Sequence, residues 1–226
     1  MKEGHFALAL DGDGRRAESV ASNGGQALWS GIATREQATK QGRRLFKRDM
    51  FSGWGVRTLS EDSPRYNPQG YHVGTVWPHD NSIIAMGLKR YGLEKELNRL
   101  ATALFDAAKA FPYYRLPELF GGAARSAHHS PVPYPIACRP QAWAAGAFPL
   151  ITQAILGLCP DAVKGRLYIV RPQLPDWLRT VSIRGLRVGE AEVDLGYERR
   201  DGVTQVQVVE TRGDLSVSVV DRWPEL

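Results

Sequence analysis

The spacing of apolar residues changes once along this chain, near residue 164, and the change limits what each part can form. Before it, apolar residues recur every three or four positions, as on one face of an α-helix. After it, apolar and polar residues alternate, as on the two faces of a β-strand. We therefore predict a helical domain over residues 1–164 and a β-strand domain over residues 165–226.

A pair of helices is the clearest feature of the first part. Residues 93–111 carry one apolar stripe with charged residues mostly off it, and Pro112 ends the pattern. Pro78 suits the first position of the preceding helix, which Gly92 ends. A tight glycine turn between the two predicts a helical hairpin.

Two further helices are predicted on either side of this pair. Thr34 and Gln37 have the spacing of a capping box, which indicates a helix over residues 35–46. Residues 141–158 are apolar nearly all round, as in a helix buried on every side. Pro149 lies within this last helix and is expected to kink or split it.

The second part has the alternation of strands and the turn residues of hairpins. Val206 and Val208 alternate with glutamines, and Val217 alternates with serines. Asp201-Gly202 is a strong hairpin signal, and Gly213-Asp214 is a weaker one. We expect an antiparallel sheet of about four to six strands.

The composition excludes several classes of protein. At 43% hydrophobic residues the chain can bury a core. Its apolar runs are shorter than the roughly 20 residues of a membrane helix, and Phe6–Leu10 is shorter than the roughly seven-residue core of a signal peptide. Cys138 and Cys159 provide neither a disulfide framework nor a metal site, so the cytoplasm is the simplest location.

Neither nucleic acid, nor a metal, nor a cofactor is predicted as a ligand. The net charge of +5 is spread along the chain instead of forming one basic face. No pair of histidines has the helical i, i+4 spacing of zinc ligands, and no glycine motif for dinucleotides follows a strand. The histidines are His5, His72, His79, His128 and His129.

Two long stretches without regular periodicity, residues 53–77 and 112–140, are rich in aromatic residues. Loops longer than about 12–15 residues are usually functional or disordered. Asp80 follows the first stretch, where it either takes part in chemistry or complements the dipole of the helix that it begins. Glu118 lies in the second, where it is either solvated or directed at a ligand. Aromatic rings with two carboxylates are typical of sites that bind and hydrolyse sugars.

The same stretches resemble bacterial glycogen-debranching-like proteins of the amylo-alpha-1,6-glucosidase type. Four segments carry the resemblance in the family's order: residues 53–60, 66–81, 116–120 and 134–146. The second reads Tyr-Asn-Pro-Gln-Gly-Tyr-His-Val-Gly-Thr-Val-Trp-Pro-His-Asp-Asn, and the third reads Leu-Pro-Glu-Leu-Phe. The resemblance covers most of residues 5–200.

The resemblance implies a mainly α fold, a partial (α/α)6 toroid with a small C-terminal antiparallel β region. It implies an inverting glycosidase that acts on an α-glucan or oligosaccharide without a cofactor, with Glu118 as the general base. It also implies a pocket wall, for which Trp54, Arg57, Gln141 and Trp143 are the weaker candidates. The other wall residues are Tyr71, His72, Trp77, His79 and Asp80.

Members of that family are several hundred residues long, and this chain resembles their C-terminal part. We therefore expect a fragment or one piece of a split protein that is weak or inactive alone. Its general acid is expected in an upstream polypeptide that completes the toroid. Asp80 is a possible substitute for that acid. The alternative is a non-catalytic carbohydrate-binding or assembly module.

Overall fold

The computed structural model describes residues 4–126 and 130–224, so His128 and His129 lie outside the described residues. The chain divides into two compact units between Ile151 and Thr152. Among the helices that the structure describes, none has both the length and the apolar character that a bilayer crossing requires.

The prediction of a mainly α fold, with its partial (α/α)6 toroid, is wrong. The described residues form five α-helices and eight strands in three sheets. About 32% of the described residues are helical, with short 3-10 turns included, and about 25% are in strands or isolated bridges, so the fold is mixed α/β. The strands of the second unit are longer than a small β region implies, since two of them run to ten residues. A hairpin near the N-terminus adds two more strands, which at two residues each are too short to show any periodicity in the sequence.

The first unit begins with a two-stranded hairpin and continues with helices. α3 packs against both α1 and α4. Gly87 allows the approach of α1 to α3, because a Cβ atom there would lie 2.7 Å from the backbone nitrogen of Trp29. The elements are β1 (Ala9–Leu10), β2 (Arg16–Ala17), α1 (Gln26–Ser30), α2 (Arg35–Leu45), α3 (Pro78–Tyr91), α4 (Glu94–Ala108) and the start of α5 (Ala142–Leu156).

The predicted helix ends are confirmed at three places. Thr34 Oγ1 accepts a hydrogen bond from the Gln37 amide, and the Gln37 side chain accepts one from the Thr34 amide, so the capping box of α2 is present. Pro78 is the first residue of α3, and Gly92 ends it in the left-handed conformation at φ 78°. Of the kink or split expected at Pro149, the split does not occur, because α5 continues on both sides of that residue.

The second unit contains two sheets of three strands each. In one, β4 pairs antiparallel with β3 but parallel with β8, which corrects the prediction of a single antiparallel sheet. In the other, β6 pairs antiparallel with β5 and β7, and the hairpin predicted at Asp201-Gly202 is confirmed. The strands are β3 (Leu158–Asp161), β4 (Arg166–Val170), β5 (Thr180–Val188), β6 (Ala191–Arg200), β7 (Val203–Arg212) and β8 (Ser216–Val220).

Candidate active site

Backbone hydrogen bonds between the irregular stretches place Glu118 beside the loop that leads into α3. Val76 and Phe120 exchange two hydrogen bonds, of 2.9 and 3.0 Å, as in an antiparallel ladder. Two residues before Phe120, the Glu118 amide donates to the Cys138 carbonyl at 3.1 Å. Three stretches that are distant in sequence therefore meet around the Glu118 side chain.

Glu118 is buried, with 7% of the residue exposed, and so is not a solvated loop residue. The Tyr71 hydroxyl donates a hydrogen bond of 2.9 Å to Glu118 Oε1. The Cys138 amide donates a longer one, of 3.4 Å, to Oε2. Hydrogen bonds of this kind offset the cost of burying a carboxylate. Cys138 itself keeps an exposed side chain with a free thiol.

Five of the predicted wall residues form one cluster of rings. Tyr71 meets Trp77 edge-on at 4.8 Å, and His72 stacks on Trp77 at 5.1 Å. His79 stacks on Trp143 at 4.7 Å, and the rings of Trp77 and Trp143 lie 6.4 Å apart. The cluster joins the loop before α3, the first turn of α3 and the first turn of α5. We call it the aromatic wall.

Tyr134 is an additional member of this wall that the sequence analysis did not assign to the site. Its ring lies 5.7 Å from that of Tyr71. The residue is half-buried and lies within the segment 134–146 that carries the resemblance. Its place in that segment, together with its aromatic ring, was the available signal.

His79 is an uncharged member of the wall near neutral pH. Its side chain is half-buried, and its Nδ1 has no hydrogen-bond partner among the residues that the structure describes. Burial lowers the pKa of His79, and the negative charges of Asp80 and Glu118 oppose this only in part. A neutral imidazole can stack on Trp143 and still exchange a hydrogen bond with a ligand.

The lowered pKa of His79 predicts a loss of stability in mild acid. The folded state binds the proton less readily than the unfolded state, whose ordinary pKa is about 6.5. The stabilisation is thus complete above pH 6.5 and is lost as the pH falls through the lower folded-state pKa. Urea unfolding of wild type and His79→Phe between pH 7.5 and 5 should show a smaller decline in the variant. An equal decline in both would contradict the assignment.

Asp80 is held by the residues before and within α1. Its Oδ1 accepts a hydrogen bond of 2.8 Å from Gln26, and Ser22 donates another. Burial raises the pKa of Asp80, while these hydrogen bonds and His79 act in the opposite direction. These contacts fit a structural role for Asp80 in the first turn of α3. We therefore assign no catalytic role to Asp80.

Arg57 and Trp54 make structural contacts with other residues of the protein. Arg57 is 1% exposed, and its guanidinium donates to the carbonyls of Gly122 at 2.6 Å and Arg48 at 2.9 Å. Trp54 is buried under the guanidinium of Arg125, which lies 4.3 Å from its ring centre. We therefore leave both residues out of the proposed sugar-binding wall.

Gln141, the residue directly before α5, lines a cavity of about 620 Å³. Its Oε1 accepts a hydrogen bond of 3.0 Å from the next amide, that of Ala142. Glu118 does not line this cavity, although Leu116 does. The other lining residues are Pro112, Tyr113, Tyr114, Arg115, Arg139, Pro140, Ala144, Ala145 and Phe148.

Within residues 4–126 and 130–224, no three side chains of His, Cys, Asp or Glu come together as a metal ion would require. His128 and His129 fall outside these ranges. That no metal is used therefore stays a prediction from the sequence.

Residues 2–117 match the family described as the mannosylglycerate hydrolase MGH1-like glycoside hydrolase domain. The match ends directly before Glu118. No curated protein sequence matches the chain.

Several solved structures share the fold at low sequence identity. Neutral trehalase Nth1 from Saccharomyces cerevisiae has a TM-score of 0.53 and 21% identity, over 68% of this chain and 27% of that one. An uncharacterized conserved protein from Thermus thermophilus has a TM-score of 0.51 and 18% identity, over 66% of this chain and 34% of that one. A sialidase has a TM-score of 0.62 and 10% identity, over 90% of this chain and 20% of that one. This chain thus spans about a third or less of each.

Proposed function

Because this chain belongs to the family of mannosylglycerate hydrolase MGH1-like glycoside hydrolase domains, we propose that it carries the general base and the aromatic wall of a glycosidase active site. One observation carries the proposal: the buried carboxylate of Glu118 is held by a tyrosine hydroxyl within a cluster of aromatic rings. The proposed domain boundaries are residues 1–164 for the catalytic part and 165–226 for the β part.

The proposed reaction is hydrolysis with inversion. Glu118 takes a proton from a water molecule as that water attacks the anomeric carbon. Its Oε1 already accepts the short hydrogen bond from Tyr71, whereas Oε2 accepts only the 3.4 Å bond from Cys138. Oε2 is therefore the less strongly hydrogen-bonded oxygen, and we assign to it the proton of that water.

The proposed substrate is an α-glucan or an oligosaccharide with an α-glucosidic bond, as in debranching-type enzymes. Aromatic faces cover the C–H faces of sugar rings, and Trp143, which is 51% exposed within the aromatic wall, provides such a face. The names of the family and of one matched structure refer to mannosylglycerate and to trehalose, so both compounds belong among the sugars to be tested.

We assign the general acid to no residue of this chain. In an inverting site it lies about 6.5–9.5 Å from the base, on the other side of the glycosidic bond. Since the chain spans 34% or less of the matched structures, we propose that a further polypeptide segment supplies the acid. Hydrolysis by this chain alone should then be weak.

That the chain spans about a third or less of each matched structure also supports a second candidate function. This is a carbohydrate-binding or assembly module that catalyses no reaction. The aromatic wall would then hold the sugar, and Glu118 would only hydrogen-bond to a hydroxyl. The two functions differ in one measurable respect, because only the first makes product depend on the carboxylate of Glu118.

Binding of sugars provides the test, with two matched tryptophans. Trp143 is 51% exposed on α5 within the aromatic wall, whereas Trp29 is 49% exposed on α1. We expect calorimetry with maltose, isomaltose, trehalose and mannosylglycerate to detect binding of at least one α-glucoside. Trp143→Ala should weaken it about tenfold or more, because one stacking face is lost.

Trp29→Ala should leave that affinity unchanged. Where maltose or isomaltose is hydrolysed, proton NMR should show an initial excess of β-glucose over its equilibrium share, because inversion turns the attacked α-linked residue into the β-anomer. Failure of every α-glucoside to bind, or equal effects of the two alanine substitutions, would contradict the proposal. An initial excess of α-glucose from maltose or isomaltose would contradict the inverting mechanism.

A further inference from the structure

The hydroxyl of Tyr71 has an unusual partner for a tyrosine in a sugar-binding wall. It donates to Glu118 Oε1 at 2.9 Å, while the residue as a whole is 37% exposed. Part of the residue is therefore open to a ligand while the hydroxyl is hydrogen-bonded to the carboxylate. A residue that served only as a stacking face would not need this bond.

Tyr71 is itself fixed at its backbone by the residues that follow it. Its carbonyl accepts hydrogen bonds from the Trp77 indole N–H at 3.0 Å and from the Thr75 hydroxyl at 2.7 Å. Thr75 is fully buried and Trp77 is 5% exposed, so both donors are held by the core. The edge-on contact of the Tyr71 and Trp77 rings, at 4.8 Å, holds the side chain as well.

The opposite side of the carboxylate is held less tightly. The Cys138 amide lies 3.4 Å from Oε2, at the long end of hydrogen-bond distances. The amide of Glu118 donates to the Cys138 carbonyl at 3.1 Å, which fixes the backbone of Glu118 rather than its side chain. The bond from Tyr71 is consequently the main constraint on the orientation of the carboxylate.

We propose that Tyr71 is a positioning residue for Glu118, which it holds by Oε1 so that Oε2 faces the attacking water. This inference rests on the proposed role of Glu118 as a general base. A base must lie within hydrogen-bond reach of the proton that it accepts, and a carboxylate free to rotate would meet that condition only part of the time.

The protonation of Tyr71 agrees with this role. The hydrogen bond to Glu118 raises the pKa of Tyr71, and burial and the negative charge of Glu118 act in the same direction. Cys138 and Tyr134 add smaller effects of the same sign, and His79 is the other titratable group that faces Glu118. The phenol thus keeps its proton and remains a donor across the neutral pH range.

The experiment compares Tyr71→Phe with Tyr66→Phe, since each removes one hydroxyl and keeps its ring. The Tyr66 hydroxyl donates to the Gly122 carbonyl at 3.2 Å and has no assigned place in the site. For the most readily hydrolysed sugar, Tyr71→Phe should lower kcat about 10- to 100-fold with KM changed less than about twofold. Tyr66→Phe should change neither constant. An unchanged kcat in Tyr71→Phe, or a rise in KM as large as the fall in kcat, overturns the proposal.

A spectroscopic measurement tests the same bond without turnover. In protein labelled with ¹³C at the tyrosine ζ carbon, the resonance missing from Tyr71→Phe identifies Tyr71. Its pKa should be lower in Glu118→Gln than in wild type, because the acceptor has lost its charge. An identical titration in the two proteins overturns the inference, with or without hydrolysis. Absence of sugar binding and turnover alongside the expected shift would instead count against the proposed function.

Discussion

Replacement of Glu118 by glutamine should abolish hydrolysis at this site while sugar affinity and fold are nearly unchanged. Glutamine has the same shape and can still accept the hydrogen bond from Tyr71, but it cannot take a proton from water. Loss of a general base typically lowers the rate about 10²- to 10⁴-fold. Product formation followed by NMR, and affinity followed by calorimetry, would separate the two effects.

Glu36→Gln is the control for this substitution. Glu36 is an exposed carboxylate on α2 that pairs with Lys40, so its replacement removes the same charge far from the chemistry. It should leave turnover and affinity at wild-type values. Turnover that survives Glu118→Gln would rule out Glu118 as the base. Sugar binding by a wild-type chain without any turnover would favour the non-catalytic module.

Replacement of Arg57 by methionine should lower the free energy of unfolding by about 3–5 kcal/mol. Methionine retains much of the apolar stem, but it removes the hydrogen bonds that the guanidinium donates to the carbonyls of Arg48, Asp49 and Gly122. The contact of the guanidinium with Glu61, at 3.5 Å, is also lost. Each hydrogen bond from a charged donor contributes about 1.5–3 kcal/mol.

Urea unfolding measures this change, and Arg125→Met is the matched control. The Arg125 side chain is 41% exposed, and it stacks on Trp54 and pairs with Asp106. Its loss should cost about 1 kcal/mol or less, because exposed ion pairs and cation–π contacts contribute little. Equal losses in the two variants would contradict the structural role of Arg57. A folded Arg57→Met protein should retain wild-type sugar affinity.

The helices could be predicted from the sequence where local signals mark both their bodies and their ends. Thr34 with Gln37, and Pro78 with Gly92, are such signals, because the chemistry of a helix end is contained within a few residues. The turn at Asp201-Gly202 is local in the same sense, since its two residues adopt φ of 49° and 80°.

Features that depend on distant partners could not be predicted. β8 follows Gly213-Asp214 but pairs in parallel with β4, about fifty residues earlier in the chain, and no turn residue encodes that choice. α1, at five residues, is too short for periodicity to reveal. The first of these explains why a single antiparallel sheet was predicted, and the second explains why α1 was missed.

The candidate site shows the same division between local and distant information. Tyr71, Trp77 and Glu118 are conspicuous in sequence, and the structure brings them together. Arg57 is equally conspicuous, but its partners are backbone carbonyls, one of them 65 residues away, which no residue pattern reveals. The pairing of Glu118 with Cys138 is likewise a backbone contact and carries no signature in the side chains.

The exposed thiol of Cys138 makes the site accessible to a reporter without any mutation. Cys159, the other cysteine, is 2% exposed, so a maleimide dye should attach at Cys138 alone under native conditions. The backbone of Cys138 is hydrogen-bonded to Glu118, which places the fluorophore next to the carboxylate. Changes in its emission would then follow the arrival of a saccharide in real time, in screens of compounds for which no hydrolysis assay exists.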